Sequence, residues 1–309
     1  MVTPILLDCD PGHDDAMALL LALASPELEL LGVTTVAGNQ TLAKTTANAL
    51  RVLDFVGRGD IPVAAGADRP LERDAYFARD VHGESGLDGP DLPDPKREVV
   101  EDDAVNFMAA RICETDQPVT LIATGPLTNV AVLIERCPEA AGRVDRIVLM
   151  GGAIAEGNVT PAAEFNIWAD PEAAARVFSS GLDVTMIGLD VTHKALLLPE
   201  HADRLRASGR TGAFVADLFT FYHRFHAETY DFPGSPVHDA VAVGFVARPE
   251  LVTTLRRNVI VETESDLCRG RTVVDLWRRT DREPNCTVGV DIDSEVFLEL
   301  LVDRLAGIG

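Results

Sequence analysis

Four carboxylates in eight residues, Asp8, Asp10, Asp14 and Asp15, stand where the apolar run Pro4 to Leu7 gives way to a helical pattern beginning Ala16-Met17-Ala18-Leu19. So much like charge at the edge of a core is costly unless a cation or a hydrogen-bonded ligand offsets it. Residues two apart on a strand share a side, so Asp8 and Asp10 face one way and Cys9 the other. Pro11-Gly12 breaks the strand, and Asp14 and Asp15 fall in the first turn of the next helix, where free N–H groups favour acidic side chains. That accounts for one acidic residue at a helix start, but not for Asp10 aimed at the same place. Carboxylates with the neighbouring Cys9 turned away and no clustered histidine suit a hard cation, Ca²⁺ or Mg²⁺, better than zinc.

The elements that must position this cluster follow from the apolar runs. Pro4–Cys9, Leu28–Val36, Val119–Ala123, Arg146–Met150 and Val184–Leu189 are rich in Val, Ile and Leu, and helical patterns follow them. Helices are expected at Asp14–Ala24, Leu42–Val56, Asp102–Thr115, Leu127–Arg136, Pro171–Ser179, Pro199–Ala207, Gly212–Ala227 and Ser294–Leu305. Buried strands alternating with helices define an α/β fold: a Rossmann-like, mostly parallel central sheet flanked by helices, expected as one domain over residues 1–309. Ligands of such sheets bind beyond the carboxyl ends of the strands. The unusual polar clusters all lie there: Asp8–Asp15, Ala37-Gly38-Asn39, Thr124 to Asn129, Gly151-Gly152-Ala153 and Asp190-Val191-Thr192. Residues 66–100 are rich in Gly, Pro and Asp and poor in periodicity, which predicts a lid or binding loop. From Leu255 onward the chain reads as strands Asn258–Val261, Arg271–Asp275 and Thr287–Asp291 plus a closing helix, a scaffold without evident chemistry.

Composition narrows the partners. A chain of 309 residues, 47% of them hydrophobic, can bury a large core. With 27 Lys and Arg against 49 Asp and Glu its net charge is −22, which repels phosphate backbones and anionic lipid, so neither nucleic acid nor a membrane surface is expected as a partner. A run of about 18 apolar residues is absent, as is a basic leader before the first apolar run, and a cytoplasmic location is expected. The five cysteines are scattered with no C-x-x-C pair, which suits reduced thiols.

The string Asp8-Cys9-Asp10-Pro11-Gly12-His13-Asp14-Asp15-Ala16 is joined by Val36-Ala37-Gly38-Asn39, Thr124-Gly125-Pro126-Leu127-Thr128-Asn129, Gly152-Ala153 through Glu164-Phe165-Asn166, and Pro236-Val237-His238-Asp239-Ala240. In these motifs and their order the chain resembles the inosine-uridine-preferring nucleoside hydrolases, from near its first strand to near its last helix. The resemblance implies hydrolysis of the N-glycosidic bond of ribonucleosides to free base and ribose, a role in purine or pyrimidine salvage, and a homodimer or homotetramer. It implies a Ca²⁺ ion held by Asp10, Asp15, Asp239 and the backbone carbonyl of Thr124, with Asp14 as the general base. On spacing alone Asp239 could equally be a helix N-cap. The resemblance also implies that Asn39, Met150, Asn158, Glu164, Phe165, Asn166 and Asp239 contact the substrate.

Attack by water on the face opposite the base is direct, so inversion at the anomeric carbon is expected, with no glycosyl-enzyme intermediate. The departing base needs a proton, and His238 and His82 are the candidates: His238 precedes Asp239, and His82 lies in the expected lid. His223 and His226 are read as lining the base pocket or the surface. The stretch Phe221 to Tyr230 lies where the family varies its base-contacting helix, and Trp168 stands where a smaller aromatic is usual. Uridine, cytidine and inosine are all open as substrates. Two rivals are weighed. A haloacid-dehalogenase-type phosphatase would use Asp8 and Asp10 as nucleophile and acid, but no Lys follows at a strand end and Asp14-Asp15 would be unexplained. A non-catalytic nucleoside or ribose sensor would require loss of Asp14 or a metal ligand, and none is missing.

Overall fold

Twelve strands form among the residues described by the computed structural model, 2–101 and 103–308. They are β1 (Thr3–Cys9), β2 (Leu28–Thr35), β3 (Val63–Ala65), β4 (Val119–Ala123), β5 (Val144–Met150), β6 (Val184–Ile187), β7 (Leu196–Leu197), β8 (Ser235–Pro236), β9 (Val252–Arg257), β10 (Val259–Val261), β11 (Thr272–Val274) and β12 (Cys286–Ile292). Eight make one sheet in the order β3-β2-β1-β4-β5-β6-β12-β9, parallel throughout except where β9 runs against β12. β10 pairs with β11, and β7 with β8, as small antiparallel ribbons.

β1 is central because it is apolar on both faces: Ile5 and Leu7 enter one core cluster and Leu6 the other, as a period of two requires. From β1 the chain steps outward through β2 and β3, then returns to lay β4 on the other side of β1. The order of strand addition therefore reverses between the parallel neighbours β1 and β4, and an open crevice forms outside their carboxyl ends.

The five expected central strands are present, and β6 ends at Ile187, two residues early, because Leu189 turns to donate its N–H to the Gly152 carbonyl at 2.9 Å. Helices lie at His13–Ala24, Leu42–Phe55, Ala104–Glu114, Thr128–Arg136, Pro171–Phe178, Pro199–Ser208, Arg210–Tyr230 and Ser294–Ala306. Asp102, the expected first residue of the third of these, lies outside the described residues. The helix His238–Ala247 is buried along all ten residues, so it shows no amphipathic stripe for periodicity to detect. Asp239 is its second residue and not its cap, which is Val237. The edge strand β9, Val-Thr-Thr-Leu-Arg-Arg, lacks an apolar run because one side of it faces solvent.

Candidate active site

Strand ends and helix starts bring the acidic residues together. Asp10 follows β1, Asn39 follows β2, Thr124 follows β4, Asp14 and Asp15 open the helix His13–Ala24, and Asp239 opens His238–Ala247. One oxygen from each of Asp14, Asp15 and Asp239 lies within 4.8 Å of the other two. Asp15 is fixed on both oxygens: Thr124 Oγ1 donates to Oδ1 at 2.9 Å, while the Gly12 N–H (3.0 Å) and Asn39 Nδ2 (3.1 Å) donate to Oδ2. The Asn39 N–H donates to Asp10 Oδ2 at 2.6 Å. Asp10 Oδ1 is buried with no hydrogen-bond partner among the described residues.

Burial pushes these carboxyls up: Asp14 rises to about 8, and Asp10 and Asp239 lie well above the ordinary range, each raised further by its acidic neighbours, while Asp15 rises by burial against the lowering pull of its hydrogen bonds. Four buried acids and an orphaned oxygen with no basic side chain among their recorded partners fit a cation. An all-oxygen set, with the Thr124 carbonyl available through its second lone pair, suits a hard ion.

Asp8 behaves differently. Its Oδ1 accepts from Thr34 Oγ1 (2.6 Å) and Asn129 Nδ2 (2.8 Å), and it is fully buried, so it orients β2 and the helix Thr128–Arg136. A carboxylate sealed in this way cannot reach a phosphoryl group, which removes the phosphatase reading.

Above the acids lies a pocket of about 230 Å³. Asp14, Asn39, His82, Thr124, Met150, Asn158, Glu164, Phe165, Asn166, His238 and Asp239 all line it; Asp10 and Asp15 do not, and lie buried below. The polar residues after β5 are themselves tightly held. Asn166 Nδ2 donates to the carbonyls of Thr124 (2.8 Å) and Met150 (3.1 Å), and Asn158 Oδ1 accepts the Phe165 N–H at 2.9 Å. Glu164 caps the short helix Phe165–Ala169, accepting from the N–H groups of Asn166 and Ile167 and from Gly152 at 2.8 Å; burial lifts its carboxyl to about 7. The region from Leu255 acts as scaffold for the loop after β5: Thr272 Oγ1 both accepts from Ala153 N–H (2.9 Å) and donates to Ala153 C=O (2.7 Å).

The opposite wall carries imidazoles. His238 Nδ1 pairs with Thr192 Oγ1 at 2.7 Å, and burial holds both His238 and His82 well below the usual histidine range, so each rests neutral. His226 also lines the pocket, while His223 turns away to stack on Phe219. Tyr222 and Tyr230, within the stretch where the family varies its base-contacting helix, share the lining, and so do Tyr76 and His193, to which no motif pointed. A signal for three of the wall residues was present: Tyr222, His226 and Tyr230 recur every four residues, one face of the helix Arg210–Tyr230.

A Rossmann-like sheet whose switch point carries carboxylates instead of a glycine-rich phosphate turn, together with the relationships below, defines a hydrolase of N-glycosyl bonds in ribonucleosides. The chain belongs to the inosine-uridine preferring nucleoside hydrolase family, whose model matches residues 5–299. It is 52% identical over 307 residues to the pyrimidine-specific ribonucleoside hydrolase RihA of Escherichia coli O81 (strain ED1a), covering 99% of each chain. The RihA of Citrobacter koseri is also 52% identical, over 308 residues and 99% of each chain. Among solved structures, the purine-preferring ribonucleoside hydrolase from Gardnerella vaginalis superposes with a TM-score of 0.94 at 35% identity, covering 99% of each chain. No helix among the described residues is long and apolar enough to cross a membrane.

Proposed function

We propose that the protein is a Ca²⁺-dependent ribonucleoside hydrolase that prefers pyrimidine nucleosides and works by direct displacement with inversion. The observation that carries the reading is Asp14, which belongs to the buried acidic trio and also lines the pocket. Asp10, Asp15, Asp239 and the Thr124 carbonyl would hold the ion. When bound, Ca²⁺ supplies Lewis acidity and extra coordination sites for sugar hydroxyls and water. Asp14 accepts a proton from the water whose oxygen bonds to the anomeric carbon as the C–N pair departs with the base. Asn39, Asn158, Glu164 and Asn166 face the ribose, and hydrogen bonds there that shorten as charge develops contribute to rate. His238 and His82 face the base and support its departure. Residues 66–100, which contain the helical turn Arg79–His82, act as the lid. The pyrimidine preference is taken from the RihA relatives at 52% identity.

The test is ribose release from uridine, cytidine, inosine and adenosine, before and after prolonged chelation. Release that is fastest with the pyrimidines and lost on chelation is expected. No release from any nucleoside by calcium-loaded protein would refute the enzymatic reading and favour a sensor.

A further inference from the structure

His13 stands inside the acidic string, yet it belongs neither to the carboxylate trio nor to the pocket wall, and it is fully buried. Its ring is locked in place. It lies parallel to Phe221 (centroids 5.1 Å apart, 3° between planes) and Tyr222 (5.5 Å, 5°). Nε2 sits 2.8 Å from the Asp88 backbone oxygen, which can only accept, so Nε2 is the donor. Nδ1 lies 3.2 Å from His82 Nδ1, and the His13 backbone N–H points at that same nitrogen from 3.3 Å. With its proton on Nε2, the buried neutral His13 can only accept at Nδ1, so His82 Nδ1 donates across the 3.2 Å contact and the backbone N–H is merely close to it; His82 Nε2, without a hydrogen, is the nitrogen left to accept on the side of the pocket that His82 lines.

The backbone is shaped for this approach. A Cβ at Gly12 would come within 2.5 Å of His82 Nδ1, so only glycine lets the imidazole lie against the start of the helix. The residues after His82 are fastened to the same body of the protein: Gln40 Nε2 donates to Gly83 C=O at 2.8 Å, and Asn48 Nδ2 donates to Ser85 C=O at 2.9 Å. Of these ties, His13 is the one that reaches both His82 and Asp88.

We propose that His13 is the positioning residue for His82, turning its Nε2 toward the nucleobase and anchoring the 79–88 segment through the Asp88 carbonyl. This rests on the reading of His82 as a base-side group. His13 acts on the reaction only through His82, much as an outer residue fixes the ring of a metal-bound histidine. Its removal should therefore matter where the leaving group needs help and be silent where it does not.

A double-mutant cycle on the calcium-loaded enzyme tests this. His13→Phe keeps a ring in the stack with Phe221 and Tyr222 while deleting both nitrogens. With uridine, His13→Phe is expected to lower kcat/KM about tenfold, the scale of one lost buried hydrogen bond. His82→Ala should cost more, and the double variant no more than His82→Ala alone. With 4-nitrophenyl riboside, whose leaving group offers no N–H for His82 Nε2 to accept, His13→Phe should stay within about twofold of wild type. Multiplying losses in the double variant, or equal losses on both substrates, overturns the proposal. A readout that needs no turnover is amide exchange across 79–88, expected to rise about tenfold or more in His13→Phe. Unchanged exchange there overturns the anchoring even if activity falls. A wild type that releases no ribose while exchange still responds to His13→Phe would refute the hydrolase reading and leave the anchor standing. If His13→Phe does not fold, His13→Leu, which also deletes both ring nitrogens, carries the same measurements.

Discussion

Gly38→Ala is the sharpest probe of the acidic site, because it adds one methyl group and touches one carboxylate. The new Cβ would stand 2.1 Å from Asp10 Oδ2, with the ring carbons of Pro126 at 2.8 and 2.9 Å leaving it nowhere to retreat. Gly38 lies outside the left-handed region, so the substitution carries no backbone penalty and its effect is steric. Bringing that contact to a tolerable separation moves the oxygen by about 1 Å. Gly125 is fitted to the other carboxylate oxygen, since a Cβ there would stand 2.7 Å from Asp10 Oδ1, so the displaced group has to swing as a whole. The swing breaks the 2.6 Å bond from the Asn39 N–H. A hydrogen bond to a charged group is worth about 1.5–3 kcal/mol, and returning the carboxylate to its place on cation binding would cost a similar amount. The Kd for Ca²⁺ should therefore rise about 10- to 150-fold, and the metal-free protein, which also loses that bond, should melt a few degrees lower. Chelator competition measures the first and calorimetry the second. Wild-type calcium affinity in Gly38→Ala would refute both the pinned geometry and the assignment of Asp10 as a ligand.

Three further outcomes are expected. Asp14→Asn should lower kcat about 10²–10⁴-fold with KM nearly unchanged, and a variant with wild-type kcat would mean that Asp14 is not the base. Thr192→Val removes the 2.7 Å partner of His238 Nδ1, and should lower kcat on uridine about tenfold while sparing 4-nitrophenyl riboside; equal losses would point to packing. In the chelated protein, stability should fall as pH rises from about 6.5 to 8. Asp14 is raised to about 8 in the folded state, so the folded state holds a proton that the unfolded chain has released; that contribution is complete below the unfolded value near 4 and lost through the folded one. Its slope is about −1.4 kcal/mol per pH unit, Asp10 and Asp239 act in the same sense, and the buried histidines act oppositely only below about 6.5. A melting temperature of the chelated protein that is flat or rising across that window would refute the linkage.

The centre of the fold was legible because β1, β2, β4, β5 and β6 are buried on both faces and leave continuous apolar runs. Elements that break this relation between burial and pattern were harder to read. β9 is half polar at the sheet edge, β3 is three residues long, and His238–Ala247 is buried all round. The acidic cluster was legible for a physical reason too: charge in that density beside a core has few bland explanations. The far wall was not. Tyr76 and His193 come from segments apart from the helix that carries Tyr222 and Tyr230, and only the chain's path over the sheet brings them to one pocket. The support given by Thr272 to Ala153, 119 positions away, leaves no local trace in the sequence.

The strand order has a consequence for how the chain acquires its site. β12, the last strand, lies between β6 and β9 and not at an edge, so the sheet stays split until about residue 292 is available. The acidic trio likewise joins Asp14 and Asp15 to Asp239 across more than 220 positions. Contacts of such separation close late and slowly. A chain emerging from the ribosome therefore carries its first four carboxylates long before it has the partner residue that completes the cradle. Cation capture then becomes a final event, rewarding only those molecules whose two ends have already met.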